Sequence, residues 1–364
     1  MVPIRVAFSP LGGSWARHAA MLMAALLFSA PVAAREPPPI SYRAVADDDA
    51  ASRYGQPQLR YPRLSADDRV APDDFDVRWL EGADWPNDSE QLAQLSQNYR
   101  PRPAIWRISD RDTTIYLFGT IHVLPPGFAW RTAALDRIIA RSSELILESV
   151  ERNGLRDQAP PATTLPPLSA RVGADHRAKL AAFTASLPPE AATLFDQMPS
   201  WIASVAISLV RELRSGEVPG PGADDWLEAQ FTAQKKRVRA IENSDQVIAS
   251  VNAVPEVEQQ RMVHAALDAP IRSRADLRAA THAWAKGEVG PDSALTIDLA
   301  AATGSAALAA PLLTNRNAAW AATLIARMRR PGTCLFAAGA GHFIGDGSLI
   351  AQLEMRGVRV DRVQ

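Results

Sequence analysis

Two short motifs in this 364-residue chain carry the residue types of hydrolytic chemistry. Gly119-Thr120-Ile121-His122 follows the apolar run Ile115-Tyr116-Leu117-Phe118. Gly339-Ala340-Gly341-His342 follows Cys334-Leu335-Phe336-Ala337-Ala338. A single Gly-x-x-His says little, since chance supplies about 0.3 matches in a chain of this composition. Two of them, each just after a hydrophobic strand pattern, put both imidazoles at strand carboxyl ends, where α/β sheets bind ligands. Glu148 ends a further apolar run, Leu145-Ile146-Leu147, and reaches the same crevice. Two imidazoles and a carboxylate are a donor set for a divalent metal. Such a metal lowers the pKa of water and polarises a carbonyl. The competing reading is a pair of core histidines satisfied by backbone, with Glu148 capping the next loop.

The elements that must position these residues follow from periodicity. Residues 115–118 and 145–147 read as buried strands, and Ala129 to Arg141 has helical spacing with Leu135, Ile138 and Ile139 on one face. A Pro125-Pro126-Gly127 turn lies between them. Residues 160–167 read as a loop. The pattern from Ser169 to about Gly216 is helical, broken at Pro188-Pro189 and at Pro199. A glycine-proline connector runs from Gly216 to Asp225, then a helix from Trp226 to Lys236 and a short strand from Arg237 to Ile241. Several helices fill Ser244 to about Met328, one of them holding Arg316 and Asn317. There Arg316 would hold a substrate carboxylate or steady an oxyanion, or simply be a surface arginine. The end repeats the beginning: a strand at 334–338, the second Gly-x-x-His, a glycine-rich turn through Gly347, a helix from Ser348 to Met355 and a strand at Val358–Val360. The expected fold is α/β, a mixed sheet with surrounding helices, built as two diverged β-α-β half-repeats. His176, His264 and His282 lie in polar helical stretches and read as solvated, and Cys334 as a small core residue.

Composition narrows the function. Lys plus Arg number 39 against 40 acids, a balance that argues against a nucleic-acid binder. The single cysteine excludes an intrachain disulfide and any multi-cysteine zinc site. No His-Glu-x-x-His, Gly-x-Ser-x-Gly or P-loop is present. Residues 1–34 read as a signal peptide: Arg5 and Arg17 precede the apolar run Ala19 to Phe28, and Val32-Ala33-Ala34 suits a cut after Ala34. The expectation is a periplasmic or secreted protein without an integral span once the signal is removed. Residues 35–102 are proline-rich and acidic and read as a linker or strap, with Trp79 and Trp85 as anchors. Residues 103–364 are expected to form one α/β domain.

The motifs together resemble the TraB/PrgY/GumN family. The resemblance rests on Tyr116 to Pro125, Leu145 to Glu148, Gly222-Ala223-Asp224, Ala240-Ile241-Glu242 with Gln246, Asn315 to Trp320, and Ala338 to Gly345, in family order. Ile241-Glu242-Asn243 stands where Leu-Glu-Thr is expected, a mild departure. The resemblance implies a Tiki-like superfamily fold, with two related halves around one site. It implies metallopeptidase chemistry using both Gly-x-x-His motifs and a glutamate, with manganese or cobalt as the divalent metal and zinc as an open alternative.

Carried over by motif, His122, Glu148 and His342 become metal ligands, with Glu148 either ligand or general base. Arg316 becomes catalytic, Gly119 and Gly339 are the motif glycines, and Asp224 and Asn317 are secondary candidates. The substrate would be a peptide or small molecule. The superfamily also implies two alternatives: a metal-independent, esterase-like hydrolase, and a non-catalytic haem- or metal-binding envelope protein.

Overall fold

The computed structural model describes residues 97–125, 127–150, 165–214, 220–270, 274–303 and 309–364. The expected signal peptide and its cut, the expected strap up to residue 96 with Trp79 and Trp85, and most of the expected 160–167 loop lie outside the described residues.

Apolar strands build one six-stranded mixed sheet. Its strands are β1 (Ile105–Ser109), β2 (Thr113–Thr120), β4 (Glu144–Leu147), β6 (Arg237–Ala240), β7 (Gly332–Gly339) and β8 (Asp361–Arg362), in the order β6-β4-β7-β2-β1-β8. The four strands β6, β4, β7 and β2 run parallel, and β1 pairs antiparallel with both β2 and β8. A separate two-stranded ribbon joins β3 (Val123–Leu124) to β5 (Gly220–Pro221).

Central parallel strands are covered on both faces, so their residues alternate between two cores. Leu145, Leu147, Leu335 and Ala337 join Leu135, Leu227, Phe231 and Trp284 on one side. Ile146 and Phe336 join Trp320, Leu324 and Leu349 on the other. The first side is closed by α1 (Ala133–Arg141) and α6 (Ala223–Ala233), the second by α11 (Asn315–Met328) and α12 (Leu349–Glu354). Helix α1 shows the local logic. Thr132 caps it by accepting from the Leu135 amide at 3.1 Å, and Leu135, Ile138 and Ile139 are buried. Each such side chain contributes about 1.5–3 kcal/mol on burial, and Thr132→Ala would cost about 1 kcal/mol.

A helical layer with its own core is made of α2 (Leu168–Arg171), α3 (Ala174–Thr184), α4 (Pro189–Asp196), α5 (Ser200–Arg214) and α8 (Glu256–Asp268). Its breaks fall at Pro188 and Pro199, as expected. The remaining helices are α7 (Ser244–Asn252), α9 (Arg274–Lys286) and α10 (Ala294–Thr303). A single wide π turn, Ala310–Thr314, leads directly into α11.

Four expectations change. Helix α6 starts at Ala223 rather than Trp226, because Asp225 accepts from the Gly222 amide at 2.9 Å and closes the first turn inside the glycine-rich segment. The last strand is Asp361–Arg362, not 358–360, and it pairs with β1. Both halves run strand, loop, helix, strand, but β2 and β4 flank β7, whereas β8 lies beyond β2 and β1. The segments therefore share element order without sharing sheet position. Finally, the three other histidines are half-buried rather than solvated. His176 stacks on His264 at 4.0 Å, and His282 bonds the Tyr99 hydroxyl at 2.6 Å. Cys334 is buried as expected, and burial pushes its thiol up to about 11.

Candidate active site at the parallel strand ends

Strands β2 and β7 are neighbours, with Thr120 opposite Gly339. The two Gly-x-x-His loops therefore leave the sheet side by side, although 220 positions separate the histidines. Strand β4 pairs with the other edge of β7 and delivers Glu148 to the same end. Close approach explains both motif glycines. A Cβ on Gly119 would come 3.1 Å from Ala340 Cα, at the joint between the loops. A Cβ on Gly339 would come 3.0 Å from His122 Nε2 and 3.3 Å from Glu148 Oε1. Gly339 thus keeps open the space that these two groups face.

Each histidine is held from behind. His122 Nδ1 lies 3.1 Å from Asp224 Oδ2. As a carboxylate can only accept, the Nδ1 proton points at Asp224 and Nε2 faces forward with its lone pair. Gly222 enables this contact, since a Cβ there would fall 2.2 Å from the His122 carbonyl oxygen. His342 Nδ1 lies 2.6 Å from Asn317 Oδ1, and the Asn317 amide donates to Gly347 O at 2.9 Å. That orientation makes Oδ1 the acceptor, so His342 also carries its proton on Nδ1. Its Nε2 accepts from Arg316 Nη1 at 3.2 Å and lies 3.9 Å from Glu148 Oε2.

Arg316 organises the rest. Its Nη2 donates to Glu148 Oε2 at 2.6 Å and to Glu242 Oε1 at 2.5 Å, and its Nε donates to both Glu242 oxygens at 3.1 Å. Its Nη1 donates to Leu312 O at 2.9 Å as well as to His342. All five N–H groups are thus engaged, and none remains in this arrangement for a substrate carboxylate or an oxyanion. The expected role for Arg316 is corrected to holding Glu148 and His342 in place. Nor is Arg316 a surface residue, being 7% exposed.

The electrostatics follow from this network. Burial alone would raise the Glu148 carboxyl, but the Arg316 guanidinium outweighs it and, with the Gly339 amide donating at 2.5 Å, holds it at about 2. Burial drives the His342 imidazole down to about 3 against the pull of Glu148, and the nearby Arg316 charge adds to the fall. Burial raises the Glu242 carboxyl despite its bonds to Arg316 and Trp320, and the Glu148 charge adds to the rise. The two carboxylates in turn push Arg316 up against its own burial.

The structure therefore brings together every residue singled out in the sequence: His122, Glu148, Asp224, Arg316, Asn317, His342 and the two glycines. Two were missed as site residues. Glu242 follows β6 as Glu148 follows β4, and its amide donates to Glu148 O at 3.3 Å. The rule that selected Glu148, an acid ending an apolar strand, would have found it. Trp320 donates to Glu242 Oε2 at 2.8 Å and packs 4.3 Å from the His342 ring. Among the described residues no three His, Cys, Asp or Glu side chains are gathered as a ready metal-binding group. The donor chemistry suits a divalent cation in part: His122 Nε2 and Glu148 Oε1 face the room that Gly339 leaves, whereas the single lone pair of His342 Nε2 is taken by Arg316 Nη1 and a metal there would have to displace that bond.

These features define a class: mixed α/β proteins with a strand-end site built from two Gly-x-x-His loops and a buried Glu-Arg-Glu cluster. The family model for the TraB/PrgY/gumN family matches residues 104–362, and the chain belongs to that family. No curated protein and no solved structure gives a significant match. Among the described residues no helix is long and apolar enough to cross a membrane.

Proposed function

We propose that the protein is a divalent-metal-dependent hydrolase acting on peptide bonds, exported by the signal sequence read at its start. The observation that carries this reading is the pair of Nδ1 clamps, Asp224 on His122 and Asn317 on His342, which leave both Nε2 atoms as the free ends of the rings, that of His342 resting on Arg316 Nη1 until a metal replaces it. Charge supports it. Glu148, Glu242 and Asp224 against Arg316 leave a formal charge of −2 in a buried site, which a divalent ion would balance. His122, His342 and Glu148 would hold the metal, His342 by exchanging its Arg316 bond for the ion; Asp224 and Asn317 would orient the imidazoles and Arg316 the Glu148 carboxylate.

Bound there, a divalent ion supplies Lewis acidity and a nucleophile at neutral pH. Glu148 is assigned as ligand rather than general base, because a carboxyl held at about 2 is too weak a base near neutrality. Trp320 shields His342 from water. Gly339 leaves the opening through which a carbonyl reaches His122, whose side chain is the most exposed of the three at 24%. The choice of peptide bonds rests on the likeness of the motifs to metallopeptidases.

The test is metal content and cleavage of a fluorogenic peptide pool with Mn²⁺. About one divalent ion per chain and measurable cleavage are expected, both lost in His122→Ala plus His342→Ala. Unchanged cleavage by the double variant refutes the assignment. A second reading draws on the Asp224–His122 contact, which has the form of a carboxylate-oriented general base. Cleavage that survives chelation but is lost in Asp224→Asn would select that metal-free hydrolase.

A further inference from the structure

A cavity of about 390 Å³ opens at the β8 edge of the sheet, lined by Arg102, Lys286, Arg362, Val363 and Gln364. It is separate from the strand-end site, since β2 and β1 lie between β8 and β7. At ~4.8 Å per strand, three strand steps place it roughly 14 Å from the β7 end. Its charge is one-sided. Arg102 has no ion-pair partner among the described residues, and Arg362 bonds only main-chain oxygens. The Lys286 ammonium has one long contact, 3.6 Å to Glu288. Set against Glu288, the three cations leave positive charge in excess.

The cavity is also built rather than incidental. Arg362 Nη2 donates to Gly287 O at 2.6 Å and its Nε to Gln364 O at 2.7 Å, which fixes the guanidinium and leaves Nη1 without a protein partner among the described residues. Gly287 sits at φ +74, and a Cβ there would fall 2.8 Å from Arg362 Nη2 and 2.4 Å from Arg102 O. The Gln364 side chain is tied down at both ends, donating to Pro103 O at 2.8 Å and accepting from Thr132 at 3.0 Å. The Lys286 ammonium lies 5.2 Å from the centre of the Tyr99 ring, which restricts its range.

We propose that this cavity binds a compact oxyanion carrying at least two negative charges, of the phosphate or polycarboxylate type. A fixed guanidinium matches the oxygen geometry of either group, and Arg102 and Lys286 beside it neutralise the remaining charge. The site stands independently of the hydrolase reading, because it shares no residue with the strand-end cluster.

The experiment is calorimetric titration of the full chain, at low and moderate salt, with inorganic pyrophosphate and with citrate. Saturable binding of one equivalent that weakens with salt is expected. Arg102→Glu plus Lys286→Glu should weaken it about tenfold or more, and Arg102→Gln plus Lys286→Gln by less. Arg137→Glu, on the exposed face of α1, should leave it unchanged. Preference for pyrophosphate assigns a phosphate ligand, preference for citrate a polycarboxylate, and equal binding confirms the shared chemistry. No saturable binding of either probe at low salt overturns the proposal. So does an equal loss in Arg137→Glu, which would mark general charge attraction.

Discussion

Replacing His342 by Gln should remove much of the acid sensitivity of this protein. An imidazole in the unfolded chain titrates near 6.5, whereas burial holds His342 at about 3 in the fold. Between those values the unfolded chain carries one more proton, so stability falls as pH falls. Each pH unit costs about 1.4 kcal/mol. From pH 6.5 to 4.5 the loss from this group alone is about 2–3 kcal/mol, against a typical total of about 5–15 kcal/mol. Glu148 acts in the same direction but later. Its carboxyl falls from 4.5 to about 2 on folding, so its contribution is full above 4.5 and is lost as pH drops toward 2. Burial also lowers His264 and His282, but both are present in wild type and variant and cancel in the difference.

The assay is urea denaturation followed by tryptophan fluorescence at pH 6.5, 5.5 and 4.5, with a chelator present so that metal binding does not contribute. Gln has no titrating group, so His342→Gln should start less stable than or equal to wild type at pH 6.5 and lose about 2–3 kcal/mol less on the way to 4.5. Equal losses in the two proteins would refute the claim that His342 is buried in its neutral form.

Three further outcomes follow from the same geometry. Gly339→Ala should abolish metal binding and cleavage, as its Cβ would enter the space between His122 and Glu148, while circular dichroism shows the fold intact. Arg316→Met should destabilise the chain by about 3–5 kcal/mol by leaving Glu148 and Glu242 buried without their partner. Adding Glu242→Gln should recover part of that loss, and additivity in thermal melts would show that the two residues do not interact. Asn317→Ala should cost about 1–3 kcal/mol, because the His342 Nδ1–H loses its acceptor, and should reduce metal affinity more than it reduces helix content.

Much of the site was legible before the fold, because its signals are local. A hydrophobic strand, a glycine and a histidine lie within a dozen residues at 113–122 and again at 332–342. What was not legible depends on long-range pairing. Strand β6, Arg237-Val238-Arg239-Ala240, reads as a short strand in the sequence, but only its pairing with β4 sets Glu242 beside Glu148. Arg316 spells a solvent-facing or substrate-binding residue in a helix. Its true partners sit 168 and 74 positions earlier. The start of α6 was hidden because glycine and proline before it mark a connector, while the contact that needs Gly222 is made to His122 in another part of the chain. His176 and His264 look polar on their own helices and are covered only when α3 and α8 meet.

The position of β7 has a consequence for how the chain is made. It lies between β4 and β2, whose paired residues precede it by 190 and 219 positions, and pairs with both. Until β7 arrives, the parallel edges of β2 and β4 have no partner, and the two histidine loops cannot meet. Exposed apolar edges of this kind pair readily with other chains. Such distant pairing also makes folding slow. A ribosome therefore handles a long chain whose sheet is still split in two. Helper proteins that mask strand edges would matter most in that interval, and amino-acid changes that slow β7 docking would lower yield without altering the finished site.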